Sequence, residues 1–211
     1  MVSITKKSTP TFSTTSANSA QVCGDSEPAT GAPADSPKVD LQPRVAERRV
    51  DVTVDGQPFT SYVWPERISK PILNPVRTAR GTIVTRGFPL DPRPGERVDH
   101  VHQAGYWFTF GDVDGVDFWN NSEARTPAER TRMGTIRHVA IEEATGGATG
   151  TLRVRHDWVM PDGSTVVTET TRFVFAAGEG RRSIDRLTTL TAGSGRVVFK
   201  DNKEGVIAMR V

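Results

Sequence analysis

The stretch from Asp99 to Trp119 concentrates side chains that bind ligands or move protons. It holds two of the four histidines, two of the four tryptophans, one of the two tyrosines and four acidic residues. His100 and His102 lie two positions apart, so in an extended chain both side chains leave on one face. Imidazoles act as general acids and bases near neutral pH, and we predict that these two are catalytic.

A third histidine extends this pattern toward metal binding. His138 follows Ile136 at alternate spacing on a predicted strand. A His-x-His pair with a distant third histidine is a known metal geometry, and imidazole suits Zn, Cu, Fe and Ni. One prediction is therefore a divalent metal held by His100, His102 and His138. The alternative makes His138 an ordinary core or edge histidine.

An Asp-Gly dipeptide places two carboxylates opposite each other. Asp114-Gly115 is typical of a two-residue type I′ hairpin turn, and such a turn sets Asp112 opposite Asp117. Like charges directly opposite each other destabilise a ladder. We therefore expect these two carboxylates either to splay into water or to hold a cation, a shared proton or a polar ligand.

A second Asp-Gly dipeptide predicts a buried acid–base pair. A two-residue turn at Asp162-Gly163 sets His156 opposite Glu169. A three-residue turn would set Leu152 against Arg172 and waste the apolar face, so the first register is favoured. A carboxylate orients a neighbouring imidazole, and the pair suits general acid or base catalysis. We predict that His156 and Glu169 are catalytic; the alternative is a satisfied polar pair in the core.

Several motifs in and around this region resemble those of a known family. They are Asp-His-x-His-Gln (99–103), Gly-Tyr-Trp-Phe (105–108), Gly-Asp-Val-Asp-Gly-Val-Asp-Phe-Trp (111–119), Thr-Arg-Gly-Phe-Pro-Leu-Asp-Pro-Arg-Pro-Gly-Glu (85–96), Gly-x-Ile-x-His (134–138) and Asp-Asn-Lys-Glu-Gly (201–205). With them the chain resembles a bacterial family of unknown function that carries the label "methane oxygenase PmoA". The similarity extends from Pro58 to Val211. Val101 and Gln103 stand where most members have a proline and a third histidine.

The resemblance implies an architecture and a set of ligand contacts. The chain is similar to the first part of a large sandwich of the galactose-mutarotase type, whose sites lie on one concave sheet face. Family members extend beyond residues 201–205, so the resemblance implies a chain truncated at Val211. Together with the residue types, it marks a substrate-binding set of Arg86, Trp107, Asp112, Asp117, Trp119, Lys203 and Glu204.

The label of that family does not agree with the composition of this chain. The particulate methane-oxidising enzyme is a membrane protein, and a spanning helix needs about 20 consecutive apolar residues. The chain contains no such run. Methane chemistry is therefore the first interpretation to discard, and no membrane partner is expected.

Charge, cysteine content and missing motifs exclude other classes of function. The formal net charge of +2 argues against nucleic acid or an anionic membrane as a partner. Cys23 is the only cysteine, so no internal disulfide can form. No P-loop, dinucleotide fingerprint or nucleophile elbow occurs, and no apolar segment follows Lys6 and Lys7 as it would in a signal peptide. A cytoplasmic location is the default expectation.

Composition divides the chain into a tail and a domain. Residues 1–44 are rich in Ser, Thr, Ala, Pro and Gly. We predict disorder there, because such a segment cannot bury enough apolar surface to offset the entropy of ordering. Residues 45–211 alternate apolar and polar side chains between Gly-rich turns, which predicts an antiparallel β-sandwich. The predicted strands include 82–88 and 196–199, and a short helix is predicted near Pro127 to Arg132.

The mixture of His, carboxylate, Arg and Trp on a β-sheet face suits sugars. Aromatic faces stack on the C–H surfaces of pyranose rings, while carboxylates and imidazoles bond to hydroxyl groups. We predict a protein that acts on a carbohydrate or sugar derivative through His/Glu acid–base chemistry, as a lyase, epimerase or hydrolase, with or without a divalent metal. The alternatives are a non-catalytic carbohydrate-binding module and a truncated, inactive family member.

Overall fold

Ten β-strands form the framework of the chain, for which this computed structural model describes residues 36–211. Two 3₁₀ turns, Val45–Glu47 and Glu66–Ile68, and one short helix, α1 (Pro127–Arg130), complete the regular elements. Among residues 36–211 no helix is long and apolar enough to cross a membrane. The strands are β1 (Val39–Arg44), β2 (Arg49–Val54), β3 (Gln57–Val63), β4 (Ile72–Leu73), β5 (Tyr106–Phe110), β6 (Thr135–Thr145), β7 (Thr149–Val159), β8 (Thr165–Gly178), β9 (Arg181–Ala192) and β10 (Gly205–Met209).

The strands form two antiparallel sheets, which confirms the predicted all-β sandwich. One sheet has six strands in the order β1-β2-β3-β4-β5-β10, and the other has four in the order β6-β7-β8-β9. Removing apolar side chains from water drives the two sheets together. The side chains that meet between them are Val50, Val52, Tyr62 and Leu73 from the first sheet and Leu152, Val154, Phe173 and Phe175 from the second.

Strand β1 lies inside the segment for which the sequence predicts disorder. Val39 pairs with Val54 of β2 and is fully buried. Backbone hydrogen bonds in both directions between Val39 and Gly147 also tie β1 to the loop that follows β6. The ordered domain therefore begins earlier than predicted. Pairing with β2 stabilises β1, whereas the polar composition around it had indicated disorder. The remainder of the predicted tail, residues 1–35 with Cys23, lies outside the described residues.

The hairpin formed by β7 and β8 has the predicted register. His156 lies opposite Glu169, and Leu152 lies opposite Phe173. Alternate residues of β7 from Leu152 to Trp158 are all buried. The apolar set of both strands therefore faces the core, and the polar pair of His156 and Glu169 lies within it.

The turn of this hairpin differs from the predicted two-residue turn. Met160 N donates to Ser164 O at 2.8 Å, and Gly163 N donates to Met160 O at 2.9 Å, so the loop contains three residues. Gly163 has φ +88°, the left-handed conformation that a G1 bulge requires. A register shift between Trp158 and Val159 compensates for the extra residue. The pairing farther along the strands consequently matches the prediction.

Two bulges in β6 decide which of its side chains face the other sheet. Its pairing with β7 shifts between His138 and Ala140 and again between Ile141 and Glu143. Regular alternation would put Ile136, His138 and Ala140 on one face. The first bulge instead brings Ile141 against the core after His138, because a bulge adds one unpaired residue and re-aims those that follow.

The predicted strands at 82–88 and 196–199 do not form. Residues 82–88 belong to the long connection between β4 and β5, in which the Glu96 carboxylate accepts hydrogen bonds from the backbone N–H of Gly87 at 2.9 and 3.0 Å. A side chain thus replaces a neighbouring strand as the partner of this backbone group. Segment 196–199 has an isolated bridge at Phe199 and no continuous ladder.

A second apolar cluster lies under the loops on the outer face of the six-stranded sheet. Trp107 alternates along β5 with Tyr106 and Phe108, which face the other sheet. The segment from Asp99 to Trp119 therefore starts in the loops and then contributes β5. The outer cluster consists of Ile68, Ile72, Ala104, Trp107 and Trp119.

Candidate functional site

A hydrogen-bonded cluster joins the two sheets inside the sandwich. The Tyr62 hydroxyl of β3 lies 2.8 Å from His138 Nδ1 of β6 and 2.7 Å from His156 Nε2 of β7. A phenol has one proton to donate, so Tyr62 donates to one ring and accepts from the other. The three side chains thus form a continuous path between two imidazoles.

Glu169 of β8 holds the inner end of this path. Its Oε1 lies 3.1 Å from His156 Nδ1, at an angle that does not make a hydrogen bond, so this contact is electrostatic. The same oxygen accepts from Arg186 and from Thr171, both at 2.6 Å. Its Oε2 accepts from Trp158 Nε1 at 2.9 Å. Glu169 is therefore fixed in position and fully solvated by protein groups.

We call Tyr62, His138, His156 and Glu169 the relay. Three of its members, Tyr62, His156 and Glu169, are 1%, 2% and 1% exposed, whereas His138 is half-buried. The relay therefore reaches from the core toward the edge strand β6. His138 is the member that lies nearest to solvent.

Charge and burial fix the protonation of three relay members. Burial raises the pKa of Glu169, but the neighbouring His156 and the guanidinium of Arg186 outweigh it and hold that pKa at about 2. Burial and the neighbouring His156 lower the pKa of His138 to about 4, so this ring is neutral at pH 7. Burial and the charge of Glu169 raise the pKa of Tyr62 well above its usual value. The relay thus combines a carboxylate, a protonated phenol and a neutral imidazole.

Half-buried aromatic rings flank the relay. Trp64 stacks on His138 with the ring centroids 4.1 Å apart. The Arg186 guanidinium lies 4.5 Å from the centroid of the Phe108 ring. Tyr106 lies on the same face of the six-stranded sheet as Phe108 and packs against the core that contains Tyr62. Trp64 therefore lies beside the half-buried end of the relay, whereas Phe108 and Arg186 lie at its Glu169 end.

His100 and His102 lie in a different group, under the loops. Their ring centroids are 5.7 Å apart, and His102 is buried whereas His100 is exposed. Burial and the positive charge of Lys70 lower the pKa of His102 to about 4. The two histidines therefore lie close together, but through a turn at His100, with φ +47°, and not through the extended chain that was predicted, and their environments differ.

Lys70 forms the centre of this second group. Its ammonium donates to Trp119 O at 2.7 Å and lies 6.0 Å from the ring centroids of both Trp107 and Trp119. Burial lowers the pKa of Lys70 to about 7, although the charge of Asp117 opposes this shift. Within residues 36–211 neither indole Nε1 has a hydrogen-bond partner. Because Trp107 and Trp119 are buried, they surround a cation and do not offer the exposed sugar-stacking faces that the sequence suggests.

Arg86 holds the Asp-His-x-His-Gln motif in place. One of its amino groups, Nη1, donates to Asp99 Oδ1 at 2.7 Å, and the other, Nη2, donates to the carbonyl oxygens of His100 and Gln103. Arg210 donates to the same Asp99 oxygen at 2.9 Å. Burial raises the pKa of Asp99, but its hydrogen bond from Arg86 and the charge of Arg210 outweigh this effect and leave that pKa at about 2. Arg86 therefore acts first as a positioning residue.

The two carboxylates predicted to face each other across the first hairpin are satisfied separately. The Asp114-Gly115 turn forms, with positive φ at both residues. Asp112 accepts from the backbone N–H of Gly115 at 2.8 Å, and Asp117 accepts from that of Trp119 at 2.7 Å. The repulsion expected between Asp112 and Asp117 is thus relieved by local backbone contacts, since each carboxylate finds donors on its own side of the turn.

The structure brings some predicted site residues together and separates others. His156 meets Glu169, and His100 meets His102. His138 joins His156 in the relay and not the pair under the loops. In the part of the chain that the structure describes, no group of three or more His, Cys, Asp or Glu side chains is placed to hold a metal ion. The proposed ligand set of His100, His102 and His138 is therefore not assembled.

Lys203 and Glu204 lie at the surface immediately before β10. The Lys203 side chain is 88% exposed, and its ammonium lies 3.6 Å from the Glu204 carboxylate. Exposed pairs of this kind contribute little to stability. The Glu204 carbonyl accepts from Gly111 N at 2.8 Å and so continues the pairing of β10 with β5. A role of these two residues in substrate binding stays a prediction.

Three residues at or beside the relay and the His100–His102 pair were not predicted from the sequence. They are Tyr62, Lys70 and Arg186. The two-residue turn at Glu179 and Gly180 fixes the register of β9, but this register sets Arg186 opposite Phe173 and so does not predict its contact with Glu169. Tyr62 lies 94 positions from His156, and no local pattern predicts a contact over such a separation. Lys70 offered no signal, since a lysine is rarely buried.

Comparison with known proteins places the domain in a family without assigning an activity. A family described as "Family of unknown function (DUF6807)" matches residues 49–211. No curated protein and no solved structure is significantly similar to the chain. The match covers β2 to β10, so every residue of the relay lies within it.

Proposed function

The chain belongs to the family of unknown function DUF6807, and we propose that its sandwich domain acts on a carbohydrate or sugar derivative by acid–base catalysis at the relay. The observation that carries this proposal is the hydrogen-bonded path from His156 through Tyr62 to His138, with the Glu169 carboxylate 3.1 Å from the inner imidazole. Its outer end is a half-buried imidazole, and positioned imidazoles transfer protons efficiently.

Donor and acceptor roles along the path follow from its inner end. The negative charge of Glu169 favours a proton on the His156 nitrogen that lies 3.1 Å from it, Nδ1. The other nitrogen, Nε2, then accepts the Tyr62 proton, and the phenol oxygen accepts from His138 Nδ1–H. His138 is neutral at pH 7, so its remaining nitrogen, Nε2, carries a lone pair. The relay thus presents a base at its outer end.

Proton uptake at that end can be shared with the core. When His138 Nε2 takes a proton from a substrate, the ring can pass its Nδ1 proton to the Tyr62 oxygen. Tyr62 in turn passes its own proton to His156 Nε2, so the positive charge ends beside the Glu169 carboxylate. The charge is stabilised there at a distance of 3.1 Å. A base with a low resting pKa can therefore still accept a proton during the reaction.

The surroundings of His138 support a carbohydrate as the substrate. Trp64 is half-buried and offers an apolar ring beside His138, while the half-buried Tyr106 and Phe108 lie toward Arg186 at the Glu169 end of the relay. Sugar rings have matching apolar C–H faces, and their hydroxyl groups are partners for imidazole and guanidinium. The half-buried rings, not the buried Trp107 and Trp119, are the stacking surfaces of this proposal.

The likeness to the family labelled "methane oxygenase PmoA" belongs to the proposal only as a likeness of motifs. The Asp-His-x-His-Gln motif holds Arg86 and Arg210 in place through Asp99 and Gln103. We assign that motif a structural part in the domain. The acid–base chemistry is assigned to the relay, of which only His138 falls within one of these motifs.

A second candidate function is a non-catalytic carbohydrate-binding module. It is favoured by the deep burial of Tyr62, His156 and Glu169, because a closed polar cluster can also serve only to specify the packing of two sheets. In this case the half-buried aromatic rings would bind a sugar without changing it.

Turnover in deuterated water separates the two candidates. The purified chain is incubated with a panel of aldoses, ketoses, uronic acids and simple glycosides, and proton NMR follows C–H exchange, epimerisation, elimination and hydrolysis. We expect at least one compound to react. His138→Gln and Tyr62→Phe should each lower the rate by about 100-fold or more, the usual worth of a positioned acid–base group.

The control variant is Arg137→Gln, which changes the adjacent exposed residue of β6 and should keep the rate of the parent. Turnover that survives His138→Gln would place the chemistry elsewhere. Saturation-transfer signals from a bound sugar, without conversion of any panel member, would favour the binding module.

A further inference from the structure

A cleft on the loop side of the six-stranded sheet combines size with positive charge. Its volume is about 570 Å³, which lies within the range of small-molecule sites. We infer that this cleft binds a small organic anion, namely a compound that bears a carboxylate or phosphate group. The charged side chains that line it are Arg86, Arg93, Arg97, Arg210 and Glu96.

The charges of the cleft do not cancel. Arg86 and Arg210 share one carboxylate, that of Asp99, at 2.7 and 2.9 Å. Arg93 pairs with Glu96 at 2.6 Å, and Arg97 is exposed at the rim. Among the side chains, four guanidinium groups against two carboxylates leave an excess of two positive charges. An anion entering the cleft would therefore compensate charge that the protein leaves unbalanced.

The arginines of the cleft favour the same ligand class. Arg86 is 4% exposed, and Arg93 is half-buried. Nε of each of these two side chains is shielded from solvent, so an entering ligand would first meet the exposed guanidinium of Arg97. Carboxylate and phosphate oxygens match the planar fork of arginine.

Hydrogen bonds fix both walls of the cleft, and those of Glu96 fix the first wall. Glu96 accepts from the backbone N–H groups of Gly87 and Phe88 and so closes the loop that carries Arg93. A side chain at Gly87 would collide with Asp91 O, which would lie 1.9 Å from its Cβ. The arginines are thus presented by a rigid loop and not by a loose one, which reduces the entropy lost on binding.

The other wall is held by the Asp-His-x-His-Gln motif. Asp99 and Gln103 each bond to both Arg86 and Arg210, with the Gln103 side chain accepting from Arg210 at 3.1 Å. The cleft also has apolar lining from Ile83, Val84 and Pro94. Its space exceeds that of a bare anion, and its mixed lining suits a ligand with an organic body attached to the charge. The relay contributes no residue to this lining, so the inference stands independently of the proposed activity.

Isothermal titration calorimetry at low salt tests the inference with four probes. These are glucuronate, glucose 6-phosphate, inorganic phosphate and neutral glucose. We expect glucuronate or glucose 6-phosphate to bind at least tenfold more tightly than glucose, and binding to weaken as salt is raised. The tighter of the two organic anions identifies the acid group. Equal binding of inorganic phosphate and the organic anions would overturn the organic part of the inference.

Two charge-neutralising variants locate the binding. Arg97→Gln removes an exposed charge from the cleft and should weaken anion binding about tenfold, the worth of one charge-assisted hydrogen bond. Arg80→Gln removes the same charge from a smaller cleft, of about 320 Å³, lined also by Arg77 and Arg182, and should leave the affinity unchanged. Binding lost in Arg80→Gln but kept in Arg97→Gln, or no anion binding at all, would overturn the inference.

Discussion

The Tyr62 side chain connects the two sheets of the sandwich. Its hydroxyl contacts imidazoles on two neighbouring strands of the opposite sheet, at 2.8 and 2.7 Å. Neither contact can be replaced by water at a site where the phenol is 1% exposed. The hydroxyl therefore contributes to stability as well as to the proposed transfer of protons.

Removing that hydroxyl should destabilise the fold. Tyr62→Phe leaves nitrogens of His138 and His156 without their partner, and a buried polar group without a partner costs about 1–3 kcal/mol. We expect the free energy of unfolding, measured with urea, to fall by about 2 kcal/mol. Tyr106→Phe, which alters a half-buried tyrosine on the same sheet face, should cost less. Equal effects of the two substitutions would mean that the Tyr62 bridge is not formed.

Lys70 makes stability depend on pH in the alkaline range. Its pKa is about 7 in the folded chain and 10.5 ordinarily, so the unfolded state binds the proton more strongly. The free energy of unfolding should therefore increase as pH rises from 7 to 9.5, and this gain is lost again as pH falls through 7.

The variant Lys70→Met should remove this increase, because methionine does not titrate. Urea unfolding at pH 7 and 9.5 measures the difference. Lys200→Met, at an exposed position, should retain the increase seen in the parent. A parent chain whose stability is flat or falls over this pH range would show that Lys70 is not buried as a depressed-pKa amine.

At the scale of elements, the β7–β8 hairpin shows how a correct register can arise from an incorrect turn. The sequence predicts two loop residues, and the structure has three. The bulge after Trp158 absorbs the additional residue, because burying Leu152, His156 and Phe173 on one face outweighs the regularity of the ladder near the turn. Hydrophobic alternation was thus the more reliable guide.

We expect this hairpin to require glycine at position 163 because of its backbone conformation, and not because a side chain there would collide with neighbouring atoms. It has φ +88°, and no atom lies within 4 Å of the position of an added Cβ. Gly163→Ala should therefore lower the free energy of unfolding by about 1 kcal/mol, through the left-handed conformation alone. Gly178→Ala has equal room and no positive φ, so it should be neutral or slightly stabilising. A neutral Gly163→Ala would contradict the three-residue loop.

Across the whole molecule, the sequence predicted what depends on local alternation and missed what depends on distant contacts. The sandwich, the helix near residue 127 and the pairing of His156 with Glu169 followed from strand period and turn residues. Strand β1 was missed because its partner β2, not its own composition, stabilises it. Strand 82–88 was predicted wrongly because its backbone groups bond to scattered partners, among them Val76, Arg210 and the Glu96 carboxylate, and not to one neighbouring strand.

The candidate site also has a part that local sequence patterns predict and a part that depends on distant contacts. Its inner pair was predictable from one hairpin, whereas the contribution of Tyr62 requires the packing of one sheet on the other. The same packing separates His138 from His100 and His102, which lie under loops on the outer face. Two sheets that bury a polar path between them are therefore the feature from which the proposed chemistry follows.

The state of the His138 ring tests this account most directly. Long-range proton–nitrogen NMR of the histidines distinguishes the two neutral tautomers and the charged ring, with assignment by single His→Gln variants. We predict that His138 is the Nδ1–H tautomer at pH 7 and remains neutral down to about pH 5, in keeping with a pKa of about 4. An Nε2–H tautomer, or a ring that titrates near its ordinary pKa, would contradict the relay.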